Sequence, residues 1–143
     1  MKIAGKVVNA TVADNETARD FVSLLPLNLS MNDLFGREKF ANLPKALSEE
    51  GPRKNRYEVR DIAYWSPNHQ VAIYYRQDGE PIPPPRIIPL GKIHIPPDLV
   101  VRDITAHRKP PEVRICRLRN QSLVGTIPPS TSTPHCPACL ARR

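Results

Sequence analysis

After Tyr75 the sequence has no aromatic residue, before Cys116 it has no cysteine, and after Asp98 it has only two acidic residues, Asp103 and Glu112. Each gap excludes something. Without large rings the last third cannot build a core of its own, and three cysteines confined to that third cannot form the disulfide framework of a secreted domain. No glycine-rich phosphate loop, GxSxG or HExxH pattern occurs. No apolar run approaches the ~20 residues that span a bilayer, and the N-terminus lacks a basic-then-hydrophobic leader pattern. A cytoplasmic protein without a cofactor is therefore expected.

What is abundant is proline, 17 residues among 143, which favours turns, edge strands and extended segments over long helices. The charge is uneven. Residues 1–98 carry 13 Lys and Arg against 12 Asp and Glu, and residues 99–143 carry 8 against 2, so most of the formal +7 lies at the C-terminal end. The chain divides into a domain over residues 1–106 and a basic, proline-rich tail over residues 107–143, expected to be disordered because it has little apolar area to bury.

Hydrophobic periodicity sets the elements of the domain. Val8, Ala10 and Val12 alternate with Asn9 and Thr11, predicting a half-buried strand over residues 7–13. Asp14 or Asn15 can cap a helix whose Ala18, Phe21, Val22 and Leu25 share one face, and Pro26 ends it. Leu27, Leu29 and Met31 alternate again, and residues 37–43 form a further strand candidate. Residues 48–60 are polar and contain Gly51-Pro52, which predicts an exposed loop. Two β-rich runs, residues 61–65 and 70–76, flank the four-residue connection Ser66-Pro67-Asn68-His69 and predict a hairpin. Residues 87–95 resume a β pattern after a proline run. One short helix among six or seven short strands predicts a mainly β fold, a small barrel.

Several stretches in this order are similar to a family of small bacterial proteins with a cyclophilin-like fold. They are residues 13–21 (ADNETARDF), 24–27 (LLPL), 35–40 (FGREKF), 61–65 (DIAYW), 71–75 (VAIYY) and 90–93 (LGKI). The resemblance covers about two thirds of the chain and implies a cyclophilin-like β-barrel with a helix plugging one end; it implies no established reaction. Both ends depart from it. The first strand is short, and the segment after His94 lacks the family's last Val-rich strand, for which residues 99–105 are a substitute candidate. Prolyl isomerisation, which true cyclophilins perform with an arginine beside an apolar pocket, is the enzyme class the fold suggests, but the isomerase strands are missing. Arg19, Arg37 and Arg76 could play the arginine's part, with surface solvation as their ordinary use.

Candidate binding residues cluster on the hairpin. Tyr64, Trp65 and Tyr74, with Arg76, Glu38 and Lys39 as polar companions, could line a ligand pocket or peptide groove, against the ordinary alternative of core packing for the rings and a solvated face for the charges. The run Pro81-Ile82-Pro83-Pro84-Pro85-Arg86 reads as a stiff loop before a docking motif. In the tail Cys136 and Cys139 form one CxxC knuckle, which Cys116 and His107 could complete as a zinc site; half a site is a weak metal signal. The resulting expectation is a non-catalytic module that binds a small molecule or an extended peptide. Isomerase activity is the first alternative, and nucleic-acid binding through weak polyanion attraction by the tail is the second.

Overall fold

A computed structural model describes residues 1–3, 6–94 and 112–116. The elements run β1 (Lys2–Ile3), β2 (Lys6–Val7), β3 (Asn9–Val12), α1 (Glu16–Ser23), β4 (Leu27–Ser30), β5 (Asn32–Leu34), β6 (Glu38–Asn42), β7 (Asp61–Trp65), β8 (Gln70–Tyr74), β9 (Ile88–His94) and β10 (Glu112–Ile115). A 3-10 turn at Ser66–Asn68 joins β7 to β8, as the hairpin pattern predicts. The fold is mainly β with one helix.

The strands form two antiparallel sheets, ordered β2-β1-β10-β4 and β3-β9-β7-β8-β6-β5. This corrects the expected barrel. The chain crosses from the first sheet to the second at two bends, Val8 between β2 and β3 and Met31 between β4 and β5, and both bend residues are buried in the core. Bends of this kind let two sheets share corners. A bend that turns its side chain inward also interrupts the ladder, and among the described residues no ladder joins the two sheets, so the sheet is not closed into a barrel.

Val8 exchanges hydrogen bonds with Met1, at 2.8 and 2.9 Å, which pins the first bend. The alternation expected over residues 7–13 is realised only at Val8. Val12 is 56% exposed because β3 is an edge strand, paired to β9 on one side.

Helix α1 starts where its cap allows. Asn15 is extended, and its Oδ1 accepts a 2.8 Å hydrogen bond from the Ala18 N–H, satisfying a donor that the first turn leaves without a helical partner. The Asn15 Nδ2 donates to the Pro89 carbonyl at 2.8 Å and ties the cap to β9. Ala18 and Phe21 of the face read from the sequence are buried and Leu25 packs half-buried against the core, whereas Val22 stays outside the core cluster and Thr17 is buried in addition.

Strand β10 supplies the piece that the sequence pattern lacks at its C-terminal end. It lies between β1 and β4, with Val113 and Ile115 buried. The boundary placed after residue 106 therefore separates an interior strand from its sheet; four residues with two apolar side chains are too short a pattern to stand out in a basic segment. Residues 95–111, including the substitute candidate 99–105 and His107, and residues 117–143, including Cys136 and Cys139, lie outside the described residues. Among the described residues no group of three or more His, Cys, Asp and Glu side chains could hold a metal ion, and no helix is long and apolar enough to cross a membrane.

The six-stranded sheet buries side chains on both faces. Ile62, Tyr64, Val71 and Ile73 face the main core with Phe21, Met31, Leu90 and Ile93. Ala63, Ala72 and Tyr74 face the other way, into a second cluster with Tyr57, Ile82 and Ile87. Residues 48–60 are mostly exposed, as their polarity suggests, but two of them are buried. Tyr57 packs into the second cluster on the outer face, where Lys54 bridges to Ile87, whereas Gly51 is buried against α1 with its N–H on Thr17 Oγ1 at 3.0 Å.

Candidate functional site

The outer face of the six-stranded sheet is not fully covered, and the gap is a cleft of about 210 Å³. Its position follows from side-chain size along the ladder. Registered pairs place Glu38 opposite Tyr74, Phe40 opposite Ala72, Ala63 opposite Ala72 and Trp65 opposite Gln70, all directed to the same face. The methyl group of Ala72 leaves a low centre between the large side chains of Phe40, Trp65 and Tyr74. Ile82 and Pro83, from the proline run, close one side, and the β5–β6 turn closes another through Phe35 and Arg37.

That turn is tight. The Arg37 N–H donates to the Leu34 carbonyl at 3.2 Å, and the two residues between them, Phe35 and Gly36, both have left-handed backbones with φ of 55° and 60°. Two positive φ values in succession are what a type I′ hairpin turn demands, and glycine or asparagine usually supplies them. Phe35 does so at a steric cost and stands 76% exposed.

At the polar end, Arg37 is buried and held in place. Its Nε donates to Glu38 Oε2 at 2.9 Å and its Nη1 to Asp78 Oδ2 at 3.1 Å. The guanidinium carbon lies 5.3 Å from the Phe35 ring centre and 5.6 Å from that of Tyr57, so both rings contribute cation–π attraction. Tyr57 in turn stacks on Tyr74 at 4.0 Å and 17°, and its hydroxyl donates to Asp78 Oδ1 at 2.9 Å. Burial pushes the Glu38 carboxyl above its ordinary value, with Arg37 and then the Tyr74 hydroxyl working against the shift. The Asp78 carboxyl is lowered, first by the Glu80 N–H and further by Tyr57 and Arg37, against partial desolvation. Burial raises both tyrosine hydroxyls, Tyr74 far more than Tyr57. The result is a fixed network: every group that could move a proton is tied to a partner.

The residues singled out from the sequence separate in space. Trp65, Tyr74 and Glu38 line the cleft. Tyr64 points into the main core, fully buried, where its hydroxyl accepts the Leu47 N–H at 3.1 Å. Lys39 follows Glu38 in β6 and so faces the opposite way; it is buried with its Nζ 3.0 Å from Asp33 Oδ1 and 5.7 Å from the Tyr75 ring centre. Arg76 is exposed and is not among the cleft residues. Of the three arginines considered for an isomerase role, Arg37 is buried beside the cleft, whereas Arg19 lies on the surface between Asp14 and Glu16. Sequence reasoning missed Phe35, Phe40, Tyr57 and Asp78. Phe35-Gly36 had a usable signal, a glycine-containing turn between two β-compatible runs. Tyr57 had none, because its partners Tyr74 and Asp78 lie 17 and 21 residues away.

Comparison with known proteins adds the family. No curated protein matches the chain. The sequence model of the cyclophilin-like family matches residues 1–115, which spans every element from β1 to the end of β10. The chain belongs to the cyclophilin-like family.

Proposed function

We propose that this chain is a non-catalytic binding module whose outer cleft takes one apolar ring or branched side chain of a small molecule or an extended peptide. The observation that carries the reading is the cleft itself: rings of Phe35, Phe40 and Trp65 around an alanine floor, with an ion-paired arginine fixed at one end. Sites that enclose a drug-sized molecule occupy ~300–1,000 Å³. A cleft of about 210 Å³ is too small for that and suits a single group on a ligand whose remainder lies outside. The network around Arg37 supports binding over catalysis, since Nε and Nη1 are already engaged by carboxylates. A bacterial, cytoplasmic setting belongs to the same reading.

Trp65 is the sole tryptophan and lines the cleft, so its emission reports occupancy directly. Titration with the tetrapeptide Ala-Ala-Pro-Ala, and with versions carrying Leu, Phe or Ala in place of Pro, should give a saturable change for a ring-bearing or branched residue and none for the all-alanine version. No response from any peptide up to millimolar concentration would refute the reading.

Isomerase activity is favoured by one observation, the position of Arg37 beside an apolar cleft. It is distinguished by the exchange rate of the Ala-Pro bond in the same peptide, which without catalysis takes tens of seconds or more. Polyanion binding by the tail rests on residues outside those described, and its check is salt-sensitive retention on a phosphate-bearing column.

A further inference from the structure

Phe35 is the least expected feature of the cleft. It is a bulky residue in the left-handed region at a turn position that glycine or asparagine fills without strain, and its ring, 76% exposed, recovers little from burial. Both properties weigh against folding. Neither is forced by the hairpin, because Gly36 beside it already supplies one of the two positive φ values, and a small polar residue would supply the other. The Arg37 guanidinium covers one side of the ring at 5.3 Å and leaves the rest turned to solvent and to the cleft, of which Phe35 forms part of the wall. Asp33 Oδ2 accepts the Gly36 N–H at 3.0 Å, so the turn is anchored and the ring stands on a fixed base.

We infer that Phe35 is a recognition residue: the turn holds its ring out so that the free face stacks on the apolar group seated in the cleft, and folding stability is given up for that contact. The partner chemistry follows from the pair. A ring backed by a guanidinium favours a flat or ring-bearing group, aromatic or pyrrolidine, over an unbranched aliphatic chain. The inference rests on the binding function proposed above and deepens it by assigning the wall that selects the ligand.

Three variants separate the two halves of the argument. Phe35→Asn removes the ring and relieves the backbone; its thermal midpoint should rise by about 2–6 °C, while affinity for the best ring-bearing tetrapeptide, read from Trp65 emission, should fall about five- to tenfold. Phe35→Ala removes the ring and keeps the strain, so affinity should fall equally without a rise in midpoint. Phe35→Tyr keeps both and should restore binding at the wild-type midpoint. A lowered midpoint in Phe35→Asn would show that the ring shelters the Arg37–Glu38 pair instead, and would overturn the inference. Unchanged affinity in Phe35→Asn and Phe35→Ala would overturn it too, leaving the cleft reading intact. If the wild-type chain binds none of the peptides, the cleft reading and this assignment fall together.

Discussion

Ending the chain after Ala106 should unfold the domain, and β10 is the reason. Truncation there removes the strand that lies between β1 and β4, with two registered positions against β1 and four against β4. Val113 and Ile115 are 1% and 6% exposed, and burying such side chains is worth about 1.5–3 kcal/mol each. Their loss alone therefore costs about 3–6 kcal/mol, before counting the unpaired backbone groups along β1 and β4 and the opening of the core over Leu29. Domains of this size are stable by only about 5–15 kcal/mol. The two-residue strands β1 and β2 would then have no wider sheet to join. Ending the chain after Cys116 keeps all of these contacts and removes only residues 117–143, which contain four arginines, no acidic residue and no aromatic one. Thermal unfolding followed by circular dichroism should show a cooperative transition near the full-length midpoint for residues 1–116, and a broad or missing one for residues 1–106. A cooperative transition within a few degrees of full length for residues 1–106 would refute the reasoning, because the strand would then contribute little.

Gly91→Ala should destabilise by at least about 2 kcal/mol, since a Cβ there would lie 2.1 Å from the Thr11 carbonyl oxygen, and the backbone of β3 would have to move off β9; a lower urea midpoint, with faster exchange of the β3 amides, checks it. Asp33→Asn leaves the buried Lys39 ammonium without its carboxylate and should cost about 1–3 kcal/mol at pH 7, measured by denaturant unfolding, even though Asp33 itself is partly screened by water. Partial burial works to raise the Asp33 carboxyl, but hydrogen bonds from Tyr75, Lys39 and Gly36 outweigh it and hold the folded value below the ordinary one. The stability this provides is complete above the ordinary value near ~4 and is lost as the pH falls through the lower folded value, so the gap between wild type and Asp33→Asn should narrow below about pH 4. Glu38 has the opposite sign: its raised carboxyl takes a proton in the folded state first, and acidification through that interval should lessen the penalty of burying it, seen as a smaller difference between wild type and Glu38→Gln.

The parts of this fold that were legible in the sequence are those whose causes are local. Asn15 caps α1 through a bond three residues long, and the β7–β8 hairpin closes over four residues, so both leave a contiguous signature. Alternation likewise sorted β8 into Val71 and Ile73 on one face and Ala72 and Tyr74 on the other. What alternation cannot supply is which face meets what. Here both faces of the sheet are buried, so the period-two pattern marks two different interiors instead of an inside and an outside. Tyr64 and Trp65 are neighbours in sequence with similar chemistry, yet one fills the main core and the other lines the cleft, and their assignment depends on the 63–72 and 65–70 pairings across the hairpin. Arg37 and Lys39 are harder still. Both are cations in a strand-forming run, and each is buried against a carboxylate from another part of the chain, Asp78 for Arg37, which also pairs with the adjacent Glu38, and Asp33 for Lys39. Polarity predicted a solvated face for such residues, and that rule holds where no partner arrives. The cleft is therefore least visible where it is most distinctive: its floor is the alanine Ala72, its fixed cation depends on a residue 41 positions away, and its exposed wall is a phenylalanine in a conformation that its own side chain disfavours. A site assembled this way is a property of register and turn geometry, which is why single substitutions at the turn and in the ladder, more than changes to the aromatic composition, are what should alter it.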